Sequence, residues 1–315
     1  MKLLVLFAAL LALAPPPVHK SKLFGRIAYS SRAGDIWVMN ANGTCRHQVT
    51  HSGRGNDFDP SWSPDGQHLV FRTSRGHYLP DEFGNGLEGL YTINVDGTNE
   101  REIEPPTGGM FADWSPRGDK IAFSGLRAGQ NYDTLFLMNP DGSGAHDLGT
   151  ARTSEGAVWS PDASKIEYGA HNGDGNWAVW TMNGDGSDQR QLTHPRLVQP
   201  AGSRGDNPGP WSPDATRIAY SHWQPGGREV WVMDADGTDK RRVTHWHGGD
   251  SPIAWLPNGR IVFEHFRGNE PRPHWYWMKP NGTAIRSLPL LNGIGDPIEW
   301  LPLRTAQDSM AGAAC

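Results

Sequence analysis

Acidic and amide side chains stand shortly before a tryptophan that recurs along the chain, and they are the residues best suited to bind a ligand. The set comprises Asp57, Asp59, Asp113, Glu155, Asp206, Asn207, Asp250 and Asp296. Gathered into a ring, such carboxylates would attract cations or a basic peptide segment. Asp and Asn also bond nearby backbone N–H groups in turns before strands, so a structural role stays open and is compatible with binding.

A second set of aromatic, basic and histidine residues falls in segments that differ along the chain. These residues are His77, Tyr78, Arg127, Tyr132, His171, His222, Trp223, His265 and Arg267. Aromatic side chains with arginine on exposed loops are typical of a surface that contacts another molecule. Single aromatic residues also occur on surfaces that have no binding role, so each one alone indicates little.

The elements that must position both sets follow from an internal repeat. WSPDGQHLVF begins at Trp62, close variants begin at four later tryptophans, and a shortened WLP begins at Trp300. The tryptophans are 44 to 52 residues apart. This interval is close to the length in which four short strands form one propeller blade.

Two turn motifs punctuate each repeat. In SPDG, Pro presets the first turn position, Asp bonds its own backbone and Gly accepts a positive φ. Ala163 and Ala215 stand where other repeats have this Gly, at a cost of about 1 kcal/mol each if the left-handed conformation persists. The second turn, of the DGT type, occurs six times. Six copies predict six blades.

The ends of the repeat array indicate how the ring closes. The array begins at Arg26 within a second strand and ends with a lone first strand at Trp300. We therefore expect an all-β, six-bladed β-propeller over residues 23–303, in which the C-terminal strand joins the first blade as three strands plus one. Closure removes the free edges that an open array of strands would expose.

The two ends of the blades differ in sequence. The SPDG and DGT turns are short and repetitive and lie at one end of every blade, while the variable loops and the connections between blades share the other end. If the tryptophan strand is innermost, the acidic set surrounds the mouth of the central channel. The loop-rich face is therefore the candidate binding surface.

Three histidines, His171, His222 and His265, occupy nearly matching places in consecutive blades and raise the question of a metal site. Equivalent positions on adjacent blades should be about 10 Å apart, given a strand spacing of about 4.8 Å. Ligands lie about 2 Å from a metal ion. We therefore predict no metal site and no cofactor, although a divalent cation in the channel stays open.

WSPDG followed by IAY or IAF, then VWVM, DADGT and RRVTH, resembles the TolB-type, WD40-like propeller repeat over about residues 25–302. The resemblance implies the fold but little about function, since this repeat serves many unrelated proteins. True TolB carries an additional α/β domain before its propeller, whereas about 24 residues precede the first repeat here. Peptidases with similar propellers carry a hydrolase domain, and this chain lacks the G-x-S-x-G nucleophile elbow. Related six-bladed pectate-fragment lyases use a histidine-rich metal site in the channel.

The N-terminus begins with one lysine and an apolar run from Leu3 to Ala14, followed by prolines. This pattern fits a secretory signal peptide and is short for a membrane span, so residues 1–22 are predicted to be a signal peptide and a short linker. An uncleaved anchor stays open. Only Cys45 and Cys315 occur, and a bridge would need the tail to fold back across the ring. The small, polar tail, residues 304–315, is predicted to be disordered instead.

Charge and composition limit the function. The formal net charge is −5, which argues against nucleic-acid binding because no basic excess exists to neutralise phosphates. We expect a monomeric, non-catalytic propeller, periplasmic or secreted, with no membrane span after signal cleavage, that binds a protein or peptide partner at its loop-rich face and acidic channel mouth. The alternative is a metal-dependent propeller enzyme, a lyase or lactonase acting on a sugar derivative.

Overall fold

The computed structural model describes residues 25–53, 56–75, 89–103, 108–127, 132–195, 205–268, 270, 272–291, 294 and 298–301, with only the backbone at residues 154, 155, 298, 299 and 301. The predicted signal peptide and C-terminal tail lie outside these ranges. The described chain folds into six four-stranded antiparallel sheets, so the predicted six-bladed, all-β architecture is confirmed.

The first three blades are built from the N-terminal repeats and the last strand of the chain. Blade 1 contains β1 (Arg26–Ser30), β2 (Ile36–Asn40), β3 (His47–Gln48) and β24 (Ile298–Leu301). Blade 2 contains β4 (Asp57–Trp62), β5 (His68–Thr73), β6 (Gly89–Asn94) and β7 (Arg101–Glu102). Blade 3 contains β8 (Met110–Trp114), β9 (Ile121–Leu126), β10 (Asp133–Met138) and β11 (His146–Asp147).

The remaining blades follow in chain order. Blade 4 contains β12 (Thr153–Trp159), β13 (Lys165–His171), β14 (Trp177–Asn183) and β15 (Arg190–Gln191). Blade 5 contains β16 (Asp206–Asn207), β17 (Arg217–Gln224), β18 (Gly227–Asp234) and β19 (Arg241–Arg242). Blade 6 contains β20 (Gly249–Trp255), β21 (Ile261–Phe266), β22 (His274–Met278) and β23 (Arg286–Ser287). A short 3-10 helix spans Pro289–Leu291.

The last strand of the chain completes the first blade. β24 pairs antiparallel with β1, and Trp300 lies opposite Ile27. The first strands of several neighbouring blades contact one another, among them β24, β4, β8 and β12, which places them next to the ring axis. In the sheet of blade 1 the strand order is therefore β24, β1, β2, β3.

The hydrophobic core lies between adjacent blades, because each sheet has a neighbour on both faces. The second strands are therefore buried almost throughout and read as continuous apolar runs rather than as alternating patterns. One aromatic position of the repeat is at most 2% exposed in all six blades: Tyr29, Phe71, Phe123, Tyr168, Tyr220 and Phe263.

The turn motifs behave as their sequence indicates. Ser63 Oγ donates to Asp65 Oδ1 at 2.5 Å, and the backbone N–H of Gln67 donates to the same oxygen at 2.9 Å. Ala163 and Ala215 both have φ of 57°, so the left-handed conformation does persist where Gly is replaced. The two repeats thus keep the turn and retain the local strain.

Threonine fixes the outer strand of several blades, which the sequence analysis did not anticipate. In blade 1 the hydroxyl of Thr50 accepts the N–H of Ile36 at 2.9 Å. In blade 5 the hydroxyl of Thr244 accepts the N–H of Val230, also at 2.9 Å. This threonine, which is followed by a histidine in blades 1, 4 and 5, therefore holds the chain onto the third strand as it leaves the blade.

Cys45 is disulfide-bonded, whereas the sequence favoured an unbridged cysteine. The other cysteine of the chain, Cys315, lies outside the described residues. No helix in the described part of the chain is long and apolar enough to cross a membrane.

Candidate functional site

Three of the predicted mouth residues, Asp57, Asp206 and Asp250, lie at or next to the beginning of the first strands of blades 2, 5 and 6. All three are at most 3% exposed. Because neighbouring strands are antiparallel, the start of each first strand faces the end of the second strand. The register accordingly places them opposite Thr73, His222 and His265.

In blade 5 this register forms an aspartate-histidine pair. The Nδ1–H of His222 donates to Asp206 Oδ1 at 2.5 Å. The imidazole also packs 5.0 Å from the ring of Trp231, and its side chain remains 29% exposed. On the next strand Glu229 lies opposite His222 and is ion-paired with Arg242. The ring of His222 is therefore held in one orientation, and its Nε2 makes no hydrogen bond to the residues that the structure describes.

Blade 6 repeats the pair in a more buried form. The Nδ1–H of His265 donates to Asp250 Oδ1 at 2.6 Å, and the ring of Trp246 lies edge-on to the imidazole at 4.8 Å. His265 is only 5% exposed. Burial raises the pKa of Asp250, although its hydrogen bonds to Thr244 and His265 oppose the shift. Trp246 itself is half-buried and also contacts Tyr276.

Blade 2 uses threonine and arginine in place of histidine. Asp57 Oδ1 accepts hydrogen bonds from Thr73 Oγ1 at 2.7 Å and from Arg75 Nε at 2.9 Å. Burial nevertheless raises the pKa of Asp57. Asp59 lies in a β-bulge with φ of 49° and is ion-paired with Arg72. The bulge turns Asp59 toward Arg72 on the neighbouring strand β5, which the alternation of a regular strand would not predict.

Asp113 lies elsewhere than the sequence predicted. It directly precedes Trp114 at the end of β8, so it lies near the turn end of the channel and not at its mouth. Asp113 Oδ1 accepts from Ser61 Oγ of blade 2 at 2.9 Å, and Oδ2 accepts the N–H of Trp159 of blade 4 at 2.8 Å. Burial raises the pKa of Asp113 to about 6. This carboxylate links three blades.

The remaining loop residues divide into local pairs. Arg127 forms a bidentate ion pair with Asp147: Nε donates to Oδ2 at 2.5 Å, and Nη2 donates to Oδ1 at 2.9 Å. Arg267 Nη2 donates to the hydroxyl of Tyr276 at 2.8 Å. The ring of His171 packs edge-on against Trp177 at 3.9 Å, and burial lowers the pKa of this histidine.

For the other predicted site residues the structure gives only their burial or their place in the chain. Asn207 lies on β16, and Asn207, Tyr132 and Trp223 are all half-buried. His77, Tyr78 and Asp296 lie outside the described residues, and of Glu155 only the backbone is described.

Among the described residues, no three or more His, Cys, Asp or Glu side chains are grouped closely enough to hold a metal ion. The three histidines considered for such a site have separate partners: His171 packs on Trp177, His222 bonds Asp206 and His265 bonds Asp250. The structure therefore brings each histidine together with its own blade and not with the other two.

Glu167 was missed by the sequence analysis. It is fully buried on β13, and its Oε1 accepts the N–H of Gly209 at 3.3 Å, while Oε2 has no hydrogen-bond partner among the described residues. Burial raises the pKa of Glu167 well above its usual value. An alignment of the repeats contains the signal, because KIEY has a carboxylate where the other blades have Ala or Val.

Many solved structures resemble this fold. TolB from Acinetobacter baumannii superposes with a TM-score of 0.66 at 18% identity, covering 89% of this chain and 67% of that chain. An oligogalacturonate lyase in complex with manganese superposes with a TM-score of 0.53 at 15% identity, covering 84% of this chain and 74% of that chain. At these identities the likeness shows the fold alone.

Sequence comparison gives the family. The Tol-Pal system protein TolB of Rhizorhabdus wittichii is 34% identical over 83 residues, which are 26% of this chain and 17% of that protein. The chain therefore matches less than a fifth of the length of this curated relative. The family model described as the TolB beta propeller domain matches residues 24–205, more than half of the chain. The protein belongs to the TolB beta propeller domain family.

Proposed function

We propose that this protein is an exported, non-catalytic propeller that binds a protein or peptide through its loop-rich face. The observation that carries the proposal is the pair of aspartate-histidine contacts in blades 5 and 6. Each places an imidazole between a buried carboxylate and a tryptophan ring. Binding surfaces gain affinity when their polar and aromatic groups are held in place before the partner arrives.

The composition of this part of the face supports a protein partner. Trp223 and Trp246 are half-buried, and His245 and His247 are exposed beside Trp246. Tryptophan dominates the binding energy at many protein interfaces because it offers a large, rigid contact area and one hydrogen-bond donor. A monomer that presents these residues to a peptide segment accounts for the arrangement.

The acidic set of the mouth remains part of the proposal, with a changed role for its buried members. Asp57 and Asp250 are fully buried, so in our proposal they orient Arg75 and His265 and do not touch the partner. Asp206 does the same for His222, which is the more exposed group of its pair. The carboxylates would thus act on the partner through the basic groups that they hold.

Location outside the cytoplasm, in the periplasm or as a secreted protein, has one structural support. Cys45 is disulfide-bonded, and disulfides persist in oxidising compartments. The apolar N-terminal run supplies the export signal that such a location requires. Cell fractionation, followed by mass analysis of the mature N-terminus, tests this part of the proposal. A cytoplasmic protein that retains Met1 would contradict it.

Site-specific photocrosslinking tests the binding face. A photoreactive amino acid at Trp223 or at Arg267 should yield a defined protein adduct in cells, and the same amino acid at Asp185, in an exposed turn at the opposite end of blade 4, should not. His222→Ala should reduce the adduct formed from the Arg267 position by about tenfold or more. Equal adducts from both ends of the blades, or none from the loop-rich face, would overturn the proposal.

A metal analysis separates this proposal from the alternative of a metal-dependent lyase or lactonase. We expect the purified protein to carry no stoichiometric manganese, calcium or zinc. One equivalent of any of these metals, lost in the variants Asp57→Ala, Asp250→Ala or His222→Ala, would favour the enzyme.

A further inference from the structure

A cleft of about 800 Å³ opens between blades 2 and 3 at the turn end of the ring, opposite the loop-rich face. Its wall includes His68, Thr92, Glu100, Arg101, Trp114 and Arg117. This volume lies within the range of small-molecule sites. The repeats supply an internal comparison, because each of these positions has counterparts in the other blades.

Trp114 differs from its counterparts in exposure. The recurring tryptophan is 4–7% exposed in the other five blades: Trp62, Trp159, Trp211, Trp255 and Trp300. Trp114 is half-buried and lines the cleft. At one blade-to-blade contact, part of an indole side chain is therefore left exposed.

The side chain next to this indole also differs from its counterparts. In two blades an arginine at the start of the second strand covers the tryptophan of the next blade: Arg26 lies 4.6 Å above the ring of Trp62, and Arg217 lies 5.1 Å above that of Trp255. The corresponding residue of blade 2 is His68, whose ring centroid is 6.2 Å from that of Trp114. The shorter side chain leaves room where the long cation would lie.

The SPDG turn is altered at the same cleft. Asp65, Asp162 and Asp214 each accept a hydrogen bond from the serine two residues earlier, but the corresponding residue of blade 3 is Arg117. Ser115 instead donates to Asp119 at 3.0 Å. Replacing the aspartate gives up a local stabilising contact, and such departures from a repeated rule are concentrated at functional positions.

The cleft lining carries two guanidinium groups, Arg101 and Arg117, and one carboxylate, Asp65, that has no arginine partner among the described residues. Asp65 is hydrogen-bonded within its own turn, and Glu100 is ion-paired with Arg75. Arg101 donates to the neutral hydroxyl of Thr92 at 3.1 Å and to the carbonyl of Pro140 at 3.2 Å. The guanidinium of Arg117 has no hydrogen bond or ion pair with any described residue. Asp65 keeps its negative charge despite these hydrogen bonds, and Asp141 attracts Arg101. Arg117 is therefore the least engaged basic group of the cleft and the one best placed to bind an anion.

We propose that this cleft binds a small organic anion consisting of a carboxylate carried on a ring. The guanidinium groups of Arg101 and Arg117 suit a carboxylate, which accepts paired N–H donors. The exposed part of Trp114 suits the ring, whether aromatic or a sugar pyranose, because both present a flat surface to indole. This site is independent of the partner surface at the other end of the blades.

Two variants that restore the repeat test the proposal. Arg117→Asp rebuilds the common turn, and His68→Arg places a long cation over Trp114; neither should lower the thermal stability. Calorimetric titration uses benzoate and glucuronate as probes, with benzyl alcohol and methyl glucoside as neutral counterparts. We expect one of the two acids to bind the wild type at least tenfold more tightly than its neutral counterpart, and each variant to weaken that binding at least tenfold.

A matched pair controls for general charge effects. Arg101→Gln should lower the affinity for the acid that the wild type binds. Arg241→Gln, at the equivalent position of blade 5, should leave that affinity unchanged. Preference for benzoate or for glucuronate identifies the ring as aromatic or pyranose. Absence of binding to both acids up to about 10 mM, or variants that bind as well as the wild type, would overturn the proposal.

Discussion

Glu167 carries a buried carboxyl group at a strand position where the other five blades have an apolar residue. The same strand position is Ala28, Val70, Ala122, Ala219 and Val262 in the other blades, and all six residues are fully buried. Ionised, Glu167 would leave a charge with one weak hydrogen bond in the core between blades 4 and 5. Its raised pKa indicates that the carboxyl stays protonated there.

The variant Glu167→Gln should therefore change stability in a pH-dependent way. The folded state keeps a proton that the unfolded chain releases, so the wild type loses stability as pH rises above the ordinary pKa of glutamate. Gln does not titrate and has nearly the same shape. Chemical unfolding should show equal stability at pH 4 and an advantage for the variant of about 1–3 kcal/mol at pH 8. Equal stability at both pH values would contradict the argument.

At the scale of the elements, two turns hold alanine in a left-handed conformation. Ala215 has φ of 57° in the WSPDA turn of blade 5, where blades 2 and 3 have Gly66 and Gly118 at φ of 67° and 76°. Ala215→Gly should raise the free energy of unfolding by about 0.5–1 kcal/mol, because Gly adopts this φ without strain from a Cβ atom. Thermal unfolding measures the gain.

Ala219→Gly in the adjacent strand is the control for this turn. Ala219 is fully buried in regular strand structure, where glycine loses stability. A lower stability for both variants would show that the alanine at position 215 is not strained.

The strands and turns could be predicted from the sequence because both are repeated, and repetition separates structural residues from the rest. The pairing of Asp206 with His222 could not be, since it depends on which residues of two strands lie opposite each other. The position of Asp113 could not be predicted either. A bulge before it in β8 alters the register of this strand, and Asp113 lies beside Ser61 and Trp159. Spacing along the chain does not fix such contacts.

At the scale of the whole molecule, ring closure depends on one short strand. Trp300 of β24 lies in the same hydrophobic cluster as Ile27 of blade 1 and Trp277 of blade 6, so it joins the first and last blades. Trp300→Ala should lower the free energy of unfolding by about 3–5 kcal/mol, since it removes a large buried side chain and opens a cavity.

Denaturant unfolding of Trp300→Ala should also show a less cooperative transition, because an opened ring exposes the edge of β1. Leu290→Ala provides the control: this side chain is 43% exposed, and its loss should change stability by less than about 0.5 kcal/mol. A loss at Trp300 as small as that at Leu290 would show that β24 does not hold the ring closed.

The balance of carboxyl groups predicts where on the pH scale the whole propeller is most stable. Burial raises the pKa of Asp113 to about 6 and that of Glu167 further above its usual value, so the folded state retains protons and stability falls as pH rises above about 4. In the turns, hydrogen bonds from Ser212 and Thr216 lower the pKa of Asp214 to about 2. That contribution is lost as pH falls below about 4. Urea unfolding across pH 3 to 8 should therefore show maximal stability near pH 4, and a maximum near pH 8 would show that Asp113 and Glu167 ionise freely inside the fold.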